Sequence, residues 1–171
     1  MTTLTAMVER LARMPRFLAE CAERLPRSEW AAQPEPGPFS LVEHCCHLRD
    51  LEEEGYTLRL RRMLREHAPA LDDFDGDAVA ASRSYPDQDL TAATKAFAEA
   101  RARNVAVLTS LEEGALARTA TFGELGVITL ERLAALMAGH DASHRAEVES
   151  LLITLDALRA PVPGRRRPAS R

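Results

Sequence analysis

The sequence predicts an all-α protein folded as a single four-helix bundle, and three observations carry that expectation. Apolar residues recur at steps of three and four along four long segments, while no stretch alternates convincingly with the period of a strand. A chain of 171 residues, 46% hydrophobic and 28% charged, has the balance of a globular domain, with room for one core but not two. The connection between the second and third helical segments is long, which predicts a crossover rather than a plain series of hairpins. The net charge of −4 gives no reason to expect nucleic acid or an anionic membrane as a partner. No apolar run reaches the roughly eighteen residues that a membrane span needs.

The first helix is expected over roughly residues 3–24, with Leu4, Met7, Val8, Leu11, Met14, Leu18 and Cys21 on one face. Pro15 has no amide hydrogen and predicts a kink or break there. A Pro-rich connector, LPRSEWAAQPEPGPF, holds the only tryptophan, Trp30. The second helix opens at Ser40, where Ser40 and Glu43 have capping-box spacing, and runs to about residue 67. Residues 68–87 are acidic and interrupted by Pro69, Gly76 and Pro86, and read as a solvated connector. They do not form a calcium loop, because Leu71 and Ser82 would occupy its first and twelfth ligand positions. The third helix covers roughly residues 89–113, with Leu90, Ala93, Phe97, Ala100, Asn104, Val107 and Leu111 in register. A short turn containing Gly123 and Gly126 leads to the fourth, roughly residues 129–158. The bundle thus spans residues 1–160, and residues 161–171, PVPGRRRPASR, are expected to be a disordered basic tail.

Two histidines interrupt the apolar stripe of the fourth helix. Leu133, Met137, His140, His144, Val148, Leu151 and Leu155 follow one another at helical steps, so His140 and His144 stack one turn apart on the buried face. Buried imidazoles need partners for their ring nitrogens, and either a divalent metal or ordinary hydrogen bonds would serve. The second helix offers His44 and His47. On an apolar arc set by Leu41, Cys45, Leu48, Leu51 and Leu58, His44 lies near the middle and His47 at the edge. Periodicity slightly favours His44 as the inward residue, but an edge position can face a cleft, so both stay open.

Other residues have plainer expected roles. Cys45 and Cys46 are packing residues, with Cys46 turned away from the apolar arc, and Arg59, Arg61, Arg62 and Arg65 make a solvated face. Asp50 and Glu54, one and two turns beyond His47, are placed to orient a ligand but read first as surface charges, and Trp30 and Phe39 read as a core plug near the entrance to the second helix before a substrate platform. Three cysteines, Cys21, Cys45 and Cys46, read as reduced thiols of a cytoplasmic protein. The N-terminal segment meets Glu9 and Arg10 before an apolar stretch accumulates, which argues against a signal peptide. His140-Asp141-Ala142-Ser143-His144 has the histidine spacing of a zincin. Asp is one methylene shorter than the required Glu, and only Asp156 follows Glu149 as a further ligand, so that reading is set aside.

The segment FSLVEHCCHLRD, residues 39–50, resembles the start of the second helix in the DinB-like (YfiT-like) superfamily. Members carry Trp or Phe followed by Ser, a Glu three residues on, and then a His-Leu pair. Phe97 and Arg101, Gly126 ahead of Thr129 and Leu130, and His140-Asp141 with His144 extend the resemblance over roughly residues 5–158. It implies a four-helix bundle, often a homodimer, whose three histidines bind a divalent metal such as zinc or nickel. Carried over to this chain, the ligands are His47, His140 and His144, with His44 as the alternative on the second helix. Three neutral imidazoles leave a coordination position at which a water or thiol can be activated. The resemblance implies a metal-dependent enzyme acting on small molecules, foremost an S-transferase with a low-molecular-weight thiol as cosubstrate. The alternatives are a small-molecule hydrolase and a non-catalytic metal-binding bundle. The open position is expected to face a pocket walled by Trp30 and Phe39.

Overall fold

The computed structural model describes residues 3–34, 39–112 and 114–160. The tail expected from residue 161 lies outside them, as does Glu113, the expected end of the third helix. The elements run in the order α1 (Leu4–Arg24), α2 (Leu41–Asp50), a π-helical turn (Leu51–Tyr56), α3 (Thr57–Arg65), β1 (Ala70–Leu71) and α4 (Gly76–Arg83). They continue with α5 (Leu90–Thr109), β2 (Thr119–Phe122), β3 (Val127–Thr129) and α6 (Leu130–Arg159). Four rods make the bundle: α1, the composite of α2, π turn and α3, then α5 and α6.

Side-chain caps set the starts of these helices, each satisfying an amide that the first turn leaves unpaired. Thr3 accepts from Ala6, Asp89 from Ala92 and Thr129 from Arg132, at 3.3, 2.7 and 3.1 Å. The expected capping box is present: the Ser40 amide donates to the Glu43 carboxylate at 2.8 Å. Pro15 does not break α1, which continues through it for 21 residues. Leu11, Met14, Leu18 and Cys21 are buried on both sides of Pro15, and their packing holds the helix together across the missing hydrogen bond.

The connector between α3 and α5 is more ordered than a solvated loop. β1 pairs in parallel with β2, and β2 pairs antiparallel with β3, through a turn in which Gly123 and Gly126 take φ of +46° and +66°. Strands of two to four residues are too short to display an alternation. Asp75 caps α4 by accepting from Ala78 at 3.0 Å. Two apolar clusters fill the interior. One joins Leu18, Leu41, Cys45, Phe97 and Val148, and the other joins Leu11, Met63, Leu108, Leu133 and Met137. Along α6, residues 140–144 fall between the two clusters, where polar side chains gather. No helix among the described residues is long and apolar enough to cross a membrane.

Candidate metal centre

Nine of the ten residues of α2 are buried, because α4, α5 and α6 all pack against it. This explains why the periodicity could not separate an inward from an outward histidine. It also corrects Cys46, which is fully buried with its Sγ directed at Gln88 Oε1. His44 is 1% exposed, His47 9% and His144 8%, while His140 is half-buried.

His47, His140 and His144 converge on one point. His47 Nε2 lies 3.3 Å from His140 Nε2, which lies 3.1 Å from His144 Nε2. Ligand atoms on a tetrahedral zinc, at about 2.0–2.1 Å from it, sit about 3.3 Å apart. A neutral ring nitrogen offers one hydrogen or one lone pair, so His140 Nε2 can make a full hydrogen bond to only one of its two neighbours. The donor set fits an ion that accepts three lone pairs. The rings are neutral at neutral pH, and each offers a lone pair at Nε2 in the tautomer that carries its hydrogen on Nδ1. Burial, then the neighbouring histidines, pushes His140 down to about 3; burial, then His144, pushes His47 to about 4, and burial pushes His144 to about 4.

His44 stands outside this group. Its Nδ1 faces the other nitrogen of His144, Nδ1, at 2.9 Å. His44, His144 and the exposed Glu147 thereby form a second, overlapping group of possible ligand atoms. The remaining nitrogens, Nδ1 of His47 and of His140, are buried with no hydrogen-bond partner among the described residues. The His47 ring is seated against backbone. A Cβ on Gly76 would come within 2.6 Å of its Cε1, so the residue read as a connector breaker is the one that admits the ring.

A cavity of about 500 Å³ opens beside His47 and His140, with Leu51, Tyr56, Phe74, Phe122 and Gly139 in its walls. The pocket expected near the start of the second helix is a separate cavity of about 310 Å³, lined by Phe39 and His44 but not by Trp30. Trp30 donates to the Ala22 carbonyl at 3.3 Å and packs on the core away from the histidines. Phe39 meets His44 edge-on and His47 at a tilt, with ring centroids 5.6 and 5.7 Å apart.

Behind the histidines lies a buried polar network. Arg101 makes a two-pronged ion pair with Asp141, a second pair with Glu52 at 2.8 Å, and a hydrogen bond to the Leu11 carbonyl at 3.1 Å. Asn104 donates to Glu52 and to Thr57, at 2.8 and 2.9 Å. Asp141 adjoins His140, so the network fixes the turn of α6 that carries the cluster.

The sequence model of the DinB superfamily matches residues 10–148 of this chain. The chain belongs to the DinB superfamily. Among solved structures, this DinB-superfamily chain is similar to YfiT from Bacillus subtilis, with a TM-score of 0.81 and 21% identity over 90% of this chain and 87% of that one. That protein is described as a probable metal-dependent hydrolase with an unusual four-helix bundle topology. At this identity the likeness shows the shared fold. Comparison with curated proteins gives no match.

Several residues of this DinB-superfamily member escaped the sequence reading. Asp50, expected at the surface, is 3% exposed and accepts from the Tyr85 hydroxyl at 2.8 Å and from Arg49 at 2.6 Å. Arg59, expected on a solvated face, is 5% exposed, whereas Glu54 is a surface charge paired with Arg83. Asn104 and Arg101 did carry a signal, since both are polar residues on the buried stripe of α5.

Proposed function

We propose that His47, His140 and His144 hold a divalent metal, zinc or nickel, and that the protein is a metal-dependent enzyme acting on small molecules. The observation that carries this reading is the convergence of three Nε2 atoms, two of them on histidines that line a cavity large enough for a small substrate. When bound, the metal supplies Lewis-acid chemistry, bringing the pKa of a water or thiol at its open position toward neutrality. The chain's own residues orient that centre. The Arg101–Asp141 pair holds α6 in place, and Gly76 admits the His47 ring.

Three uncharged ligands leave the ion its full charge, which favours an anionic partner and supports a low-molecular-weight thiol as the nucleophile of an S-transferase. The protein's own thiols are poor candidates, since burial pushes Cys21, Cys45 and Cys46 up to about 11, 12 and 11. The description of YfiT supports a second reading, in which water is the nucleophile and the reaction is hydrolysis. Metal analysis of the purified protein, followed by assays of electrophiles with and without added thiols, tests both. Turnover that requires metal and thiol supports the transferase, and turnover that requires metal alone supports the hydrolase. A protein that binds no divalent metal would sink both.

A further inference from the structure

Twelve residues separate His47 from Arg59, and at about 100° per residue an unbroken α-helix would set them about 120° apart. The π turn at Leu51–Tyr56 rotates the chain less per residue and closes that gap, so both side chains reach the same cavity. Gly55, inside the turn, leaves the space this needs. A Cβ there would lie 2.6 Å from Leu51 Cδ1 and 3.3 Å from Arg59 Nη1.

The Arg59 guanidinium is fixed but not neutralised. Its Nε and Nη2 donate to the Asp72 carbonyl at 3.1 and 3.0 Å, and it covers the rings of Phe122 and Tyr56 at 4.5 and 5.6 Å. Nη1 has no hydrogen-bond partner among the described residues. Its ionic neighbour, Asp73, is 3.8 Å from Nη2 and 90% exposed, too well solvated to cancel a buried charge. Arg59 is close enough to the cluster for its charge to oppose protonation of His140. Arg132 adds a second cation at the cavity rim. It lies eight residues of α6 before His140, about 12 Å along the helix, and makes no ion pair with a described residue. Leu51, Phe74, Phe122 and Leu136 supply apolar wall around these cations.

We propose that Arg59, assisted by Arg132, is the anion-recognition point of this cavity, and that the site takes a small molecule with an apolar body and a carboxylate. The proposal rests on the reading of the histidine cluster as the reacting centre. A carboxylate on Nη1 gains a charge-assisted hydrogen bond from a buried guanidinium, while the apolar walls take the body of the molecule. The anchored end fixes which atom meets the histidines, which makes Arg59 a specificity-determining residue.

The test compares phenylacetate with phenylacetamide, its neutral analogue, by calorimetry on full-length protein at about pH 8, both zinc-loaded and metal-stripped. Metal-stripped wild type should bind the acid about tenfold or more tighter than the amide. That ratio should collapse in Arg59→Gln and shrink in Arg132→Ala, whose exposed position keeps the test valid should Arg59→Gln fail to fold. An acid that binds no better than the amide to metal-stripped wild type overturns the proposal. So does a preference that appears only with zinc, or one that Arg132→Ala and a folded Arg59→Gln both leave intact. Zinc titration of the same samples reports separately on the histidines. Absent zinc binding with an arginine-dependent preference intact would sink the metal reading and support the anion site.

Discussion

His144 uses both of its ring nitrogens. With Nε2 committed to an ion beside His140, Nδ1 must carry the hydrogen and donate it to His44 Nδ1, 2.9 Å away. In that arrangement His44 would orient a ligand without being one. Asn at that position places an acceptor close to where Nδ1 stands, whereas Leu fills the space with none. Zinc affinity, measured by competition with a chelator, should fall about 10- to 100-fold in His44→Leu and far less in His44→Asn. Equal affinities for His44→Leu and wild type would reject the role. Gly76→Ala makes a parallel case, since a Cβ within 2.6 Å of the His47 ring must displace it, and zinc affinity should drop with little change in helix content. Unchanged affinity would mean that the α4 backbone yields instead. At this scale the sequence disclosed His140 and His144, because a spacing of four on an apolar stripe is a local fact. It could not choose between His44 and His47, since α2 is buried nearly all round, nor see why Gly76 is glycine, since that contact joins distant segments.

Among the elements, the composite second rod departs most from regular geometry. Its π turn presents Glu52 to the interior, where Arg101 of α5 and, through it, Asp141 of α6 complete the ion pairs. Burial pushes the Asp141 carboxyl up and Arg101 pulls it back, so the carboxylate depends on its partner to stay charged. Arg101→Leu would strand two buried carboxylates, and urea unfolding should register a loss of about 3–5 kcal/mol. A loss below about 1 kcal/mol would show that these carboxyls find other partners or water. The four rods were legible because long segments average out irregularities in their periodicity. The π turn was not: one widened turn shifts the apolar stripe by only about one residue's arc, and that shift also moved Arg59 from its expected solvated face to the cavity. The short strands β1, β2 and β3 left no alternation to read.

For the whole molecule, a metal that binds only the folded chain shifts the folding equilibrium by mass action. At about one hundred times its dissociation constant it adds about 2.7 kcal/mol, or about 5–10 °C in Tm for a domain of this size. His140→Ala should lose this response to added zinc, and an undiminished shift in that variant would reject His140 as a ligand. The same histidines set the acid limit of the metal-stripped protein. Burial, reinforced by the neighbouring histidines, lowers His44 and His140 to about 3, and His47 and His144 lie near 4, all below the value of about 6.5 in an unfolded chain. Between those limits the unfolded chain binds more protons than the folded one, so stability rises with pH through the window. The contribution of the neutral histidines is complete above about pH 6.5 and is lost as pH falls through about 4 and then about 3. Urea unfolding of metal-stripped protein should therefore give a lower midpoint at pH 5 than at pH 7.5, and His140→Gln should narrow the difference. A midpoint at pH 5 equal to or above that at pH 7.5 would mean that the histidines are not held neutral in the fold, and the lone pairs that a metal requires would not be in place.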